Sequence, residues 1–382
     1  MRETDQILSL WAECEHAGES AVLATVVRTH GSSYRLPGAR LLITAHGRRA
    51  GSISGGCLED DLVKKAWWLT EGNRRALRRY DTHPDDDGSP AYGLGCNGII
   101  DILLERVTQG HAQALALLNS VRETRRPAVI AHLLQPQALA GRRICIAADG
   151  QSGNEVDDDL ARQLEAAALA ILDERASCHV SFSHDGEPVE AFVEVLAPPV
   201  QLLVFGAGDD AIPFTELAHY LGWTVSVSDG RAHYARPERF PKADAVRTAG
   251  LEGSEAQVDA HIDQWTAAVL MSHSYSQDLA ALRLLARKPL HYLGILGPRK
   301  RTAQLLADAG LDTSGLAAPL HSPMGLDIGA DGPQQVALSV ITEIQASMNG
   351  RLGGPLKERA GSIHSRAEDD TLAFTVHSIV CA

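Results

Sequence analysis

The stretch QLLVFGAGDDAIPFTELAHYLGWTVSVSD, residues 201–229, decides the fold class. An apolar run, QLLVF, enters a glycine-rich turn; a segment with an apolar stripe follows, and a second run, WTVSV, ends on an acid. The turn Gly206-Ala207-Gly208-Asp209-Asp210-Ala211 fits the G-x-G-x-x-G/A pattern in the context it requires, between a strand and a helix. Gly206 permits the tight turn, Gly208 lets backbone approach a pyrophosphate, and Ala211 lets helix and strand pack closely. The first amides of the helix then receive anionic phosphate. Asp229, 21 residues after Gly208, is placed to accept a hydrogen bond from a ribose 2′-hydroxyl. Arg231, two residues further, leaves room for a 2′-phosphate, so NAD and NADP both fit. Asp209 and Asp210 lie in the first helical turn and oppose an anion there, which points to modest affinity or the help of a cation. The bland alternative is a structural turn that holds no nucleotide.

The pattern continues downstream. AAVLM and HYLGIL are further apolar runs of the kind found in parallel strands buried on both faces. Helical periodicity at about 211–221, 276–287, 299–309 and 333–348 separates or follows these runs. Residues 200–350 are therefore expected to form a Rossmann-like, doubly wound parallel sheet. Ligands of such sheets bind beyond the carboxyl ends of the strands. His273, in Ser272-His273-Ser274, and Arg299, in Pro298-Arg299-Lys300-Arg301, both follow strand ends and become candidate ligand contacts. A structural histidine and a solvated basic cluster are the competing readings.

The rest of the chain is mixed. MRETDQILSLWAECEHAGES reads as an amphipathic helix and not as a signal peptide. AVLATVVRTHG (21–31), ARLLITAHG (39–47), RAGSISGG (49–56) and GIIDILLERV (98–107) read as strands, with helices from about Cys57 to Leu69 and over 111–123. DTHPDDDGSP (81–90) is expected as an exposed loop. Four strand-like runs and one helix, near 159–174, occupy about 126–200. The expected organisation is an N-terminal α+β domain over 1–125, a small mixed extension of it over 126–199, the α/β domain over 200–350, and a polar, partly disordered tail over 351–382. Pro198-Pro199 marks the boundary before the third segment.

Length and composition narrow the function classes. The chain has 382 residues and a formal net charge of −13, which disfavours nucleic acid or an anionic membrane as a partner. No apolar run approaches the ~18 residues of a membrane-spanning helix. Six dispersed cysteines without C-x-x-C or zinc spacing are expected to be reduced thiols of a cytoplasmic protein.

Two cysteines stand among glycines. Gly55-Gly56-Cys57 and Gly95-Cys96-Asn97-Gly98 carry more glycine than a core cysteine needs, and glycine permits close backbone approach to a ligand. Cys57 falls near the start of a helix, where the dipole favours a thiolate, while Glu59, Asp60 and Asp61 oppose it. Both could equally be small buried hydrophobes.

At these residues the chain resembles the XdhC/CoxI family of accessory proteins for molybdenum hydroxylases. The matching segments are GSSYRLPGARLLI, GSISGGCLED, YGLGCNGIIDILLE, LLVFGAGDDA, LMSHSYSQDLAALRLL, YLGILGPRKR and LHSPMGLDIGADGPQQVALSVITEI, spanning about 31 to 345 in the family's order. Asp209 stands where many members carry His, and GAGDDA looks like the CoxI-type branch. The resemblance implies an N-terminal XdhC/CoxI domain and a C-terminal Rossmann domain. It further implies binding of molybdenum cofactor, protection of it during sulfuration (with a cysteine desulfurase as a further partner), and delivery to an apo-molybdenum hydroxylase such as xanthine or carbon monoxide dehydrogenase. Joined to the residues, it makes Gly55, Gly56, Cys57 and Cys96 candidates for the pterin or metal end, with Cys57 as the possible molybdenum contact. Gly206, Gly208, Ala211, Asp229, His273 and Arg299 become candidates for the phosphate end of molybdopterin or its cytosine dinucleotide. Soft thiolate suits molybdenum by the preference that selects soft metals. The leading expectation is a cofactor-insertion chaperone, acting as a homo-oligomer without turnover of its own. An NAD(P)-dependent oxidoreductase using His273 as acid/base, or a sulfur or redox relay through Cys57 and Cys96, are the alternatives.

Overall fold

The computed structural model describes residues 3–31, 33–56, 58–72, 75–81, 98–147, 150, 152–248, 261–359 and 380–381. Its contacts divide the chain between Pro198 and Pro199 into two compact units.

The first unit opens with α1 (Glu3–His16), β1 (Ala21–Gly31), β2 (Arg40–Thr44), β3 (Arg49–Gly51), α2 (Glu59–Leu69), β4 (Arg75–Asp81) and β5 (Gly98–Val107). The strands form an antiparallel sheet in the order β3-β2-β1-β5-β4. Alternation along them decides which face is which. Val22, Ala24, Leu41, Ile43, Ile102 and Leu104 pack with Leu58, Leu62 and Ala66 of and beside α2.

After α3 (Gln113–Thr124) come β6 (Ala128–Gln135), β7 (Arg143–Ile146), β8 (Ser152–Asn154), α4 (Asp158–Glu174), β9 (Cys178–His184) and β10 (Glu187–Leu196). These strands build a second antiparallel sheet, β9-β10-β6-β7-β8. Helix α4 lays Leu160, Leu164, Ala168 and Ile171 against Val129, Ala131, Leu133 and Val193.

The inner faces of the two sheets carry charge. Arg40 binds Glu194 through two contacts of 2.5 and 2.7 Å, Arg28 binds Glu190 at 2.5 Å, and Arg75 binds Glu155 at 2.6 and 2.7 Å. Arg143, fully buried, binds Glu105. Each pair bridges one sheet to the other, so the charges are compensated where desolvation would otherwise be costly.

The second unit holds β11 (Gln201–Phe205), α5 (Ala211–Tyr220), β12 (Thr224–Asp229), β13 (Ala245–Thr248), β14 (Thr266–Leu270), α6 (Tyr275–Leu285), β15 (Tyr292–Ile295), α7 (Arg299–Ala309), β16 (Leu320–His321) and α8 (Pro333–Met348). All pairings are parallel, in the order β13-β12-β11-β14-β15-β16. Numbered within the unit this is 3-2-1-4-5-6, the order of the dinucleotide-binding fold, with its switch point between β11 and β14. The α/β fold class expected from the sequence is the one observed. Finally, β17 (Val380–Cys381) pairs with β9.

Three local readings change. The run 49–56 is a strand only to Gly51, because the amides of Ile53, Ser54 and Gly56 turn onto Glu59 and that of Ser52 onto Glu3. Strand β4, RALRRYD, was not expected, since it lacks an apolar face; its Arg75 and Arg79 pair across to Glu105 and Asp101 of β5. Short β13 and β16 also went unread, being edge strands only partly buried. Of the expected loop 81–90, Asp81 instead ends β4, and the rest, like most of the expected tail, lies outside the described residues. Among the described residues no helix is long and apolar enough to cross a membrane.

Candidate functional site

The carboxyl ends of β11, β12 and β14 assemble the first candidate site. Gly206 follows β11 with φ +134°, and a Cβ there would lie 2.5 Å from the Met271 carbonyl oxygen. The turn therefore needs glycine at this position. Gly208 differs. A Cβ there would meet only the Asp210 carboxylate, with His273 Cδ2 at 4.0 Å. Ala211 is fully buried at the start of α5, packed against the sheet. The amides of Ala207, Ala211 and Ile212 bond to Asp229, Gly208 and Asp209. Those of Gly208, Asp209 and Asp210 have no acceptor within the described chain. Such unpaired amides at a helix start suit an anion.

The two aspartates of the turn are each paired. Arg239 reaches back to Asp209 at 2.6 Å and to the Ala207 carbonyl at 2.6 Å, and His273 Nε2 lies 2.7 Å from Asp210 Oδ2. The repulsion expected from the sequence is thus offset by groups distant in the chain. His273 is 61% exposed at its side chain and takes a left-handed backbone, φ +56°, which a non-glycine residue rarely adopts.

Asp229 is placed at the turn, but its carboxylate is engaged internally. Oδ2 accepts from the Ala207 amide at 2.8 Å and Arg231 Nη2 at 2.7 Å; Oδ1 accepts from the Arg231 amide and Nε, each at 2.9 Å. Burial would raise its pKa, yet these bonds hold it below the usual aspartate value. A ribose hydroxyl reaches this carboxylate only if Arg231 turns away.

Further along the edge, Arg299 begins α7 after β15, two strands from the glycine turn, and is exposed. The basic run is divided: Arg301 turns inward to buried Asp278 at 2.6 Å, and Asp278 in turn accepts from Ser272 Oγ at 2.5 Å.

The second candidate site is the loop after β3. Gly55 and Gly56 take φ of +82° and +121°, as their glycine content led us to expect. What the sequence reading missed is Glu59, 3% exposed at the start of α2. Its Oε1 accepts from Ser52 Oγ at 2.9 Å, the Ile53 amide at 3.0 Å and the Ser54 amide at 2.9 Å. Its Oε2 accepts from the Gly56 amide at 2.9 Å and from Ser54 Oγ. Burial alone would raise this carboxyl's pKa, but the hydrogen bonds from Ser54, Ile53 and Ser52 lower it to about 2. Glu59 is therefore the internal anion around which the loop is wound. The available signal was the acid itself, since a glutamate at a helix start is favoured by the unpaired amides there.

Strand register places the loops after β1 and β3 at one end of the five-stranded sheet. Gly31 ends β1 opposite Gly98, the first residue of β5, and β3 ends at Gly51 and leads into the Ser52–Gly56 loop at that same end. The segments carrying Tyr34 and Gly55-Gly56 therefore both leave the sheet there. Cys57 and Cys96 themselves lie outside the described residues. Among the described cysteines, burial raises the thiol of Cys14 and pushes that of Cys145 up to about 11, which leaves little thiolate at either. Among the described residues no group of three or more His, Cys, Asp or Glu is arranged to hold a metal ion.

Comparison with known proteins fits this two-part layout. The profile described as the XdhC and CoxI family matches residues 14–81, and that described as the XdhC Rossmann domain matches residues 202–344. A Bacillus subtilis protein, named as a probable subunit of xanthine dehydrogenase, is 34% identical over 85% of this chain and 92% of its own. The chain belongs to the XdhC and CoxI family. Another relative of this XdhC/CoxI chain, from Escherichia coli, is named molybdenum cofactor insertion chaperone PaoD; it is 25% identical over 88% of this chain and 86% of its own. A crystal structure described as a xanthine dehydrogenase from Bacillus halodurans aligns with a TM-score of 0.73 at 27% identity, covering 92% of this chain and 97% of that one.

Proposed function

We propose that this XdhC/CoxI chain binds molybdenum cofactor and delivers it to a molybdenum hydroxylase of the xanthine or carbon monoxide dehydrogenase type. The observation that carries the reading is the Ser52–Gly56 loop, whose Ile53, Ser54 and Gly56 amides are wound onto Glu59 immediately before Cys57 in the chain. The names of the B. subtilis and E. coli relatives support the client and the cargo. In this reading the cofactor is cargo. Gly55 and Gly56 let the backbone approach it, Cys57 supplies a thiolate to molybdenum, and Cys96 is the second cofactor-binding thiol. In the second unit Gly206, Gly208, Ala211, Asp229, His273 and Arg299 serve phosphate groups, whether of molybdopterin, its cytosine dinucleotide, NAD or NADP. A cysteine desulfurase would act on the carried cofactor before handover, and self-association would give a homo-oligomer.

Handover is testable directly. The chain is loaded with purified cofactor, freed of excess by gel filtration, and mixed with apo-xanthine dehydrogenase. Activity should appear in proportion to the molybdenum carried, and faster than with the same amount of free cofactor. Activation no faster than by free cofactor would contradict delivery.

One observation favours a second reading. Asp210 lies 2.7 Å from His273, an orienting carboxylate of the kind that proton-transfer histidines use. An NAD(P)-dependent oxidoreductase would co-purify with nicotinamide absorbance and without molybdenum.

A further inference from the structure

The loop between β1 and β2 brings an aromatic ring to the glycine loop. Tyr34 is 68% exposed, yet its ring edge is packed against Gly55: a Cβ there would meet Tyr34 Cε1 at 3.1 Å and Cδ1 at 3.2 Å. The neighbouring Gly56 has open space where its Cβ would be. The placement is built, not incidental. Glu3 clamps the two loops together, accepting from Arg35 Nη2 at 2.6 Å through one oxygen and from the Ser52 amide at 2.6 Å through the other. Glu59 holds the glycine side from beneath. An ordered ring turned to water gains little from the fold, whereas flat ligands stack on such faces.

We propose that Tyr34 and the Gly55–Gly56 backbone form a platform for a flat heteroaromatic ring. The proposal rests on the cofactor-carrier reading for the identity of that ring, which is then the pterin. Stacking needs the face of the ring and not its hydroxyl, so phenylalanine should serve and alanine should not.

Pterin-6-carboxylate is a fluorescent probe of this chemistry. Binding to the full chain should quench its emission, Tyr34→Phe should stay within about twofold of the parent affinity, and Tyr34→Ala should lose about tenfold or more. Equal affinity of Tyr34→Ala and parent, or no binding of the probe by the parent, would overturn the platform. Molybdenum retention separates this from the carrier reading. Probe binding through Tyr34 without cofactor retention would uphold the platform and contradict the carrier; unchanged cofactor retention by Tyr34→Ala would contradict the platform alone.

Discussion

Gly206→Val is expected to destabilise the second unit strongly, whereas Gly208→Val should fold normally and lose the proposed dinucleotide binding. The two glycines sit two residues apart in one turn and look alike in sequence. At Gly206 a side chain would meet the Met271 carbonyl oxygen at 2.5 Å, its carbon at 2.6 Å and Ser272 Cα at 2.8 Å, all rigid backbone. The backbone there, at φ +134°, is also one that side chains avoid. Strain of about 1–3 kcal/mol adds to overpacking of similar size. A total of about 2–6 kcal/mol is a large share of the ~5–15 kcal/mol that holds a protein folded. At Gly208 the only close neighbour is the Asp210 carboxylate, which can rotate away. Valine there covers the place where a pyrophosphate would approach and leaves the packing intact. Thermal unfolding should separate the two variants, and calorimetry with NAD, NADP and molybdopterin cytosine dinucleotide should show binding lost in Gly208→Val. Unchanged affinity in that variant would make the fingerprint a structural turn only.

Glu59→Gln should release the glycine loop. Five donors converge on this carboxylate, and an amide in its place offers one acceptor oxygen and turns an NH2 toward the rest. Leaving buried donors unmet costs about 1–3 kcal/mol for each that water does not reach, so destabilisation of about 2–4 kcal/mol is expected. The acid dependence has a definite sign. The folded-state value, about 2, lies below the ordinary 4.5, so the contribution is present above about 4.5 and is lost as pH falls through about 2. Native-state hydrogen exchange should find the amides of Ile53, Ser54 and Gly56 protected at pH 7 in the parent and exchanging in Glu59→Gln. Protection that persists in the variant would mean that the loop is held by other contacts.

The second unit was legible because its strands are buried on both faces, which writes continuous apolar runs into the chain at β11, β14 and β15. Strand β4 was not, because its arginines are satisfied by acids on β5 that the linear sequence does not pair with them. The same limit applies at the sites. Gly206 was legible as a turn glycine, but the partner that quiets Asp209 is Arg239, 30 residues away with no local signal. Asp229 was legible as the acid ending β12, yet not that Arg231 would occupy it from two residues on. Glu59 read as an electrostatic liability for Cys57, and only the geometry reveals that it binds the amides just before that cysteine.

The most direct test of the cofactor-carrier account is molybdenum per chain after gel filtration of protein loaded with purified cofactor. Parent, Cys57→Ala and Cys96→Ala are compared, with thermal unfolding as the control for packing. The account predicts that the parent retains molybdenum, that Cys57→Ala loses most of it with little loss of stability, and that Cys96→Ala shows a smaller loss. Equal retention by the parent and Cys57→Ala would remove Cys57 as the molybdenum contact, and no retention by the parent would contradict the carrier role itself.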